Sequence, residues 1–498
     1  MTVKSDMTVL RPLGGLEMYF AARNHIGIYR AVVVTARYIG ASLTNPGVDG
    51  RSVSPQFVSS LSAVVAAHPM LRVGILDEST SRASFVHVRS INIQDYISVV
   101  EVDCATEEGL NLELARLQAS AHDEPWVDIE SRPPWRIVIV RNKSEKLGIS
   151  EDVLFSFHHS AVDGKSGMLF HESLLTELRA RAGSKPQDSP EYILSFPKAP
   201  EIPEAQEDSV PFSFSPRFVA ALLWKDLVPA MFKPAPQPVW SGKAISFSAP
   251  YITRILHLEI PAEHVAILRQ ACRAHKTTLT GLFHSLAFAS LVASLPPEEA
   301  PAFSCGTPIS LLKHRRDTQH DRFSRQETLR LLLSTLDHAI SPAAVSRMQA
   351  ALGANDESLG TEIWGAAGDI RGQLADRVDT LPRDDTAATV KFVRDFHAYW
   401  AVKDGKPRRN SWECSNIGAF TNPSGKGDQL HISRVMFSNG APVAGAAIGV
   451  NVASVEGSGL TITLSWQRDI VEEKVMAKLK TTLEQLLKNF FDTGQWLI

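Results

Sequence analysis

Very little in this chain points to metal, redox or membrane chemistry. Its 498 residues hold only 4 cysteines. Cys104, Cys272, Cys305 and Cys414 lie far apart with no CxxC spacing, which argues against a structural zinc site or a disulfide framework. A reducing compartment is expected, and no metal. Charge of one sign is also lacking: the formal net charge is −3, so no bulk field draws in nucleic acid or an anionic membrane surface. No apolar run reaches about 18 residues, and Met1 to Leu13 has no apolar core behind a basic start. The expectation is a cytoplasmic protein without signal peptide or transmembrane helix. Absent too are GxSxG, HExxH and GxGxxG, which argues against a nucleophile-elbow hydrolase, a zinc protease and a dinucleotide fingerprint. Gly164-Lys165-Ser166 resembles the end of a phosphate-binding loop, but His159 stands where its first glycine would be.

What is present is an ordinary globular composition, 44% hydrophobic and 21% charged, in a chain too long for one core. A proline-rich zone from Lys185 to Pro250 divides it. We expect a lobe over residues 1–184, a crossover linker over 185–250 and a second lobe over 251–498. In the first, Tyr29 to Tyr38 and Trp135 to Val140 read as strands and Pro55 to Ala67 as a helix. In the second, Arg254 to Ile260 and Leu460 to Trp466 alternate as strands do, and Thr280 to Ser294 reads as a buried helix. Two α/β lobes place a cleft between them, where ligand sites commonly lie. Inside the linker, Arg217 to Phe232 is strongly apolar. A helix packed on one lobe is the favoured reading, with weak peripheral membrane contact as the other.

The most informative stretch is Phe155-Ser156-Phe157-His158-His159-Ser160-Ala161-Val162-Asp163-Gly164, an HHxxxDG pattern. By chance it should arise in about a few chains per thousand. Val153, Phe155 and Phe157 mark a buried strand before it. Met168, Leu169, Leu174, Leu175 and Leu178 mark a helix after it. A histidine at a strand end, with an acid four residues on and a glycine to turn the chain, is a way to hold an imidazole as a general base. Neighbouring strand side chains point to opposite faces. His159, in register with Asp163, is therefore the expected base, and His158 a packed or positioning residue. Asp163 either faces the imidazole or turns away and fixes the loop; spacing does not choose between them.

These residues resemble the active-site motif of the superfamily that includes chloramphenicol acetyltransferase, plant BAHD acyltransferases and the condensation domains of peptide synthetases. The chain is more narrowly similar to the fungal alcohol acetyltransferase family. The similarity runs nearly its whole length, through Arg11-Pro12-Leu13-Gly14-Gly15-Leu16-Glu17, His68-Pro69-Met70-Leu71-Arg72, Pro134-Trp135-Arg136, Thr277-Thr278-Leu279-Thr280, Gly306-Thr307-Pro308-Ile309-Ser310, Ser415-Asn416-Ile417-Gly418 and Phe437-Ser438. The plant-type DFGWG motif is missing, and Trp412 to Gly418 takes its place.

The resemblance implies two similar chloramphenicol-acetyltransferase-like α/β lobes with mixed sheets and an active-site tunnel at their interface. It implies an acyl-CoA co-substrate, acetyl-CoA first, no bound cofactor, a small-molecule alcohol acceptor, and a monomer. His159 would deprotonate the acceptor hydroxyl, which attacks the thioester directly. Asp163 would be structural and pair with an arginine of the second lobe. That arginine is not directly after Thr307-Pro308, where Leu311-Leu312 stands; Arg315, in the basic run Lys313 to Arg316, is the expected partner. His158, Gly164, Ser415 and Asn416 are expected to line the substrate site. The alternative is another enzyme on the same scaffold, forming amides, using carrier-protein donors or catalysing a cofactor-free rearrangement. A binding protein that merely keeps the fold has no need of an intact base and turn.

Overall fold

The structure, a computed structural model, describes residues 7–45, 52–182, 191–227, 237–316, 328–423, 429–440 and 443–498. Two mixed sheets organise it. The first half of the chain supplies strands β1 (Val32–Ile39), β2 (Ile97–Val102), β3 (Trp135–Asn142) and β4 (Ser150–Phe157). The second supplies β5 (Thr253–Ile260), β6 (Phe303–Ser310), β7 (Leu333–Ile340), β8 (Trp412–Phe420), β9 (His431–Asn439), β10 (Ile448–Val455) and β11 (Leu460–Gln467). One sheet runs in the order β9-β1-β4-β3-β2 and the other β5-β11-β10-β8-β6-β7. In the first, β2 and β3 are parallel and the remaining pairs antiparallel. In the second, β8 is parallel to both β6 and β10. These are the two α/β lobes with mixed sheets that the sequence leads one to expect.

The boundary at residue 251 is crossed by hydrogen bonding. Strand β9, from the second half, pairs antiparallel with β1 of the first, Asn439 opposite Val32 and Ser438 opposite Val33. The linker is not free of regular structure either, since Ile193–Ser195 pairs with Ser90–Asn92. Two large apolar clusters fill the lobes. Phe155, Phe157, Phe170 and Leu174 belong to the first, while Leu282, Phe288, Trp412 and Leu464 belong to the second. Ile417 and Phe437 of the second half sit in the first cluster. The lobes thus share core, and their relative placement rests on apolar burial rather than on a tether.

The apolar linker segment forms the helix Pro216–Leu227, its start set by Pro216 at the first turn. It is not packed as expected: Val219, Leu223 and Trp224 are exposed. Residues 228–232, the end of that segment, lie outside the described residues. Among the described residues no single helix is long and apolar enough to cross a membrane.

Candidate active site

The motif emerges where β4 ends. Phe157 lies opposite Val32 of β1 and Trp135 of β3, and Val32 lies opposite Asn439 of β9, so the chain turns at one common edge of the sheet. Residues 158–163 make the turn, and the helix Gly164–Arg181 follows. The two histidines separate. The ring of His158 is sealed: its Nδ1 accepts from the Ser160 N–H at 3.1 Å, so Nε2 carries the proton and donates to Glu78 Oε1 at 3.1 Å. Glu78 also accepts from Asn24 Nδ2 at 3.1 Å. With both nitrogens engaged and 1% of its surface exposed, His158 ties the turn to Glu78 and presents no free nitrogen, where the expectation placed it lining the substrate site.

His159 is arranged the opposite way. Its Nδ1 lies 3.0 Å from the Val162 carbonyl, which can only accept, so Nδ1 carries the proton. Nε2 is left with its lone pair and no hydrogen bond among the described residues. Phe20 stacks on the ring at 4.0 Å between centroids, and Tyr29 lies at 6.0 Å. Burial lowers the His159 pKa from 6.5 to about 4, and the nearby charge of Arg23 adds to that against the Val162 hydrogen bond. The imidazole is therefore neutral at pH 7, its open nitrogen able to take a proton.

Asp163 turns away from the imidazole. Its Oδ1 accepts from Ser166 N at 2.9 Å, capping the helix Gly164–Arg181. Its Oδ2 accepts from Leu332 N at 3.2 Å, in the second half of the chain. Ser166 reinforces the joint, donating to Arg330 O at 2.8 Å and accepting from Arg330 N at 3.0 Å. Burial raises the Asp163 pKa, and the Ser166 and Leu332 hydrogen bonds work against it. Two backbone amides thus do what an arginine was expected to do. Arg315 is not among the hydrogen-bond partners of this carboxylate, and it is buried at the end of the short helix Leu312–His314.

The remaining expected residues lie at the junction of the lobes. A Cβ on Gly164 would sit 2.8 Å from Ile417 Cγ2, so glycine there permits the helix start to approach β8. Along β8, Trp412 and Cys414 face the second core, whereas Ile417 packs in the first. Alternation puts Glu413 and Ser415 on the side of β8 away from the second core. Asn416 donates to Thr280 Oγ1 at 3.1 Å and accepts from Gly418 N at 2.9 Å, which makes it a structural residue of the β8 bend. Two surface depressions of about 280 and 210 Å³ do not include His159, and no group of three His, Cys, Asp or Glu side chains among the described residues is placed to hold a metal ion.

With this geometry in hand, comparison with known proteins is informative. Residues 123–305, which carry the motif, match the family model described as alcohol acetyltransferase. "Probable alcohol acetyltransferase FCK4" of Fusarium pseudograminearum (strain CS3096) is 26% identical over 495 residues, 98% of this chain and 96% of that protein. "Probable alcohol acetyltransferase crmB" of Aspergillus fumigatus is 24% identical over 483 residues, 94% of this chain and 97% of that one. The chain is thus similar to alcohol acetyltransferases over nearly its whole length. Its fold is similar to that of TRI3 trichothecene 15-O-acetyltransferase from Fusarium sporotrichioides, with TM-score 0.66 at 11% identity, covering 96% of this chain and 95% of that one. The condensation domain of the Monacolin K polyketide synthase MokA is similar at TM-score 0.52 and 13% identity, covering 99% of each chain.

Around His159 the chain carries polar groups that no motif announces. Tyr29 donates its hydroxyl to Asn439 Oδ1, and Asn439 Nδ2 donates to Glu413 Oε1 at 3.4 Å. Burial pushes Glu413 up to about 7, against the opposing charge of Arg23. Arg23 itself lies over the Tyr29 ring at 4.5 Å. These residues come from three distant segments, so no spacing could have found them. Glu17 apart, the Gly15–His25 helix offered no polar pattern to single out Arg23.

Proposed function

We propose that the protein is an acyl-CoA-dependent O-acyltransferase, moving an acetyl group onto the hydroxyl of a small molecule with His159 as general base. The coarser part, an acetyltransferase acting on an alcohol, is supported by full-length similarity to the two fungal relatives. The finer part rests on one observation: the His159 Nδ1 proton is committed to the Val162 carbonyl, which leaves Nε2 as an unprotonated nitrogen at the junction of the lobes. An alcohol is a poor nucleophile at pH 7, and a neutral imidazole within hydrogen-bond reach remedies that.

In this mechanism Nε2 takes the hydroxyl proton as the oxygen attacks the thioester carbonyl. The tetrahedral oxyanion collapses, the C–S bond breaks, and the imidazolium returns its proton to the departing CoA thiolate. No acyl group rests on the protein. Ser160 and Ser166 are buried, Ser166 is bound to the Arg330 backbone, and burial raises the Cys414 thiol, so none is set up as a nucleophile. The test is release of free thiol from acetyl-CoA across a panel of alcohols, with products read by mass spectrometry. Intersecting initial-rate lines and no stoichiometric burst of CoA are expected. Parallel lines with an acylated peptide would overturn direct attack, and thiol release from no alcohol would overturn the CoA-dependent reading.

A further inference from the structure

Arg23 is a buried cation with no hydrogen-bond or ion-pair partner among the described residues. It sits in the last turn of the helix Gly15–His25 and exposes 6% of its surface. Its guanidinium carbon lies 4.5 Å from the Tyr29 ring centre, 5.0 Å from Trp400, 5.4 Å from Tyr19 and 5.8 Å from Phe20. Among the described residues this side chain donates no hydrogen bond and joins no ion pair, and its Nε is fully buried without a partner. Four ring faces and the carbonyl end of the helix offset part of the cost of burying the charge. They satisfy none of the guanidinium's N–H donors. A buried group of this kind is costly unless something completes it.

Its position says what that something does. Phe20 packs on His159 at 4.0 Å and also lies beneath Arg23; Tyr29 stands between the two as well. The charge of Arg23 is felt at both His159 and Glu413. Arg23 therefore lies one aromatic layer from the imidazole whose Nε2 the acceptor must reach. A planar guanidinium fork matches a carboxylate with two parallel hydrogen bonds. Walls of Tyr19, Phe20, Tyr29 and Trp400 suit the apolar body of a small organic acid better than a strongly hydrated phosphate.

We infer that Arg23 is a specificity-determining residue that binds a carboxylate on the acceptor, so that the preferred substrate is a hydroxy acid rather than a neutral alcohol. This deepens the acetyl-transfer reading and rests on it for the word acceptor, but binding can be tested without turnover. The full chain is titrated with benzoate, 4-hydroxybenzoate and hexanoate, with methyl benzoate as the neutral control, following thermal stability and intrinsic tryptophan fluorescence. The carboxylates raise Tm in the wild type and the ester does not; Arg23→Met weakens carboxylate binding at least tenfold and melts no lower than wild type without ligand. Arg23→Gln gives the same binding result should the Met variant fail to fold. The proposal is overturned if no carboxylate binds the wild type, if either variant binds as well as wild type, or if both variants melt far lower. In turnover with acetyl-CoA, the ratio of kcat/KM for 4-(hydroxymethyl)benzoate over its methyl ester falls at least tenfold in Arg23→Met. Equal loss on acid and ester would instead place Arg23 on the reaction's oxyanion and overturn acceptor recognition. Absence of CoA release with any acceptor, alongside intact Arg23-dependent binding, would fault the acetyl-transfer reading alone.

Discussion

Replacing Asp163 separates a joint from a triad. The carboxylate makes two hydrogen bonds, to Ser166 N at the helix start and to Leu332 N, 169 positions away. Asp163→Ala removes an N-cap, costing about 0.5–2 kcal/mol. It also leaves the Leu332 N–H without an acceptor, costing about 1–3 kcal/mol more. The sum is about 1.5–5 kcal/mol, enough to lower Tm by several degrees. Asp163→Asn is milder. Burial already disfavours the charged form here, and the amide oxygen keeps one of the two acceptors. The loss is then about 1–2 kcal/mol. Because His159 Nδ1 donates to the Val162 carbonyl and not to Asp163, the tautomer that leaves Nε2 free survives either change. Asp163→Asn should accordingly keep kcat within about tenfold of wild type, whereas removing the charge from a true Asp–His pair costs about 10⁴. The assay pairs thermal melting with CoA release at saturating acetyl-CoA. A variant with wild-type melting and kcat lowered 10³-fold or more would refute the reasoning.

Other expectations follow from the same geometry. His159→Ala should lower turnover by about 10²–10⁴-fold with little change in Tm, since it removes proton transfer and one stacked ring; an active variant would remove His159 from the mechanism. His158→Ala should do the reverse, losing about 1–3 kcal/mol of stability as Glu78 and the Ser160 N–H lose their partner. Melting curves that leave His158→Ala unchanged would count against its positioning role. The pH profile of kcat/KM should stay flat on acidification to near pH 5 and fall with a midpoint of about 4, because the base works only when neutral. Stability moves in the same window with a definite sign. The pKa values of His159, His68 and His171 are lowered from 6.5 to about 4, so their contribution is complete above 6.5 and is lost as pH falls through about 4. Initial rates after a brief pH jump, set beside equilibrium melts, tell the two effects apart; a rate midpoint near 6.5 would mean that the imidazole is not desolvated.

The local devices of this protein are legible in its sequence. Alternation at Val153, Phe155 and Phe157, the turn over His158 to Asp163 and the helical spacing from Met168 to Leu178 all depend on residues within a few positions of one another, where backbone geometry dictates which side chains share a face. That locality is why the strand, the turn and the helix could be read directly. Pairing between distant segments is another matter. Nothing in the composition of His431–Asn439 says that it hydrogen-bonds to Val32–Ile39 rather than within its own half, because any strand edge offers the same donors and acceptors. The apolar helix Pro216–Leu227 reads as buried, yet hydropathy counts side chains without knowing what covers them, and Trp224 is exposed. The partner of Asp163 is a backbone amide, which no residue type advertises. Arg23, Glu413 and Asn439 become one neighbourhood only when two sheets and a helix meet, since hydrogen bonds and buried charges are matched in space and not along the chain.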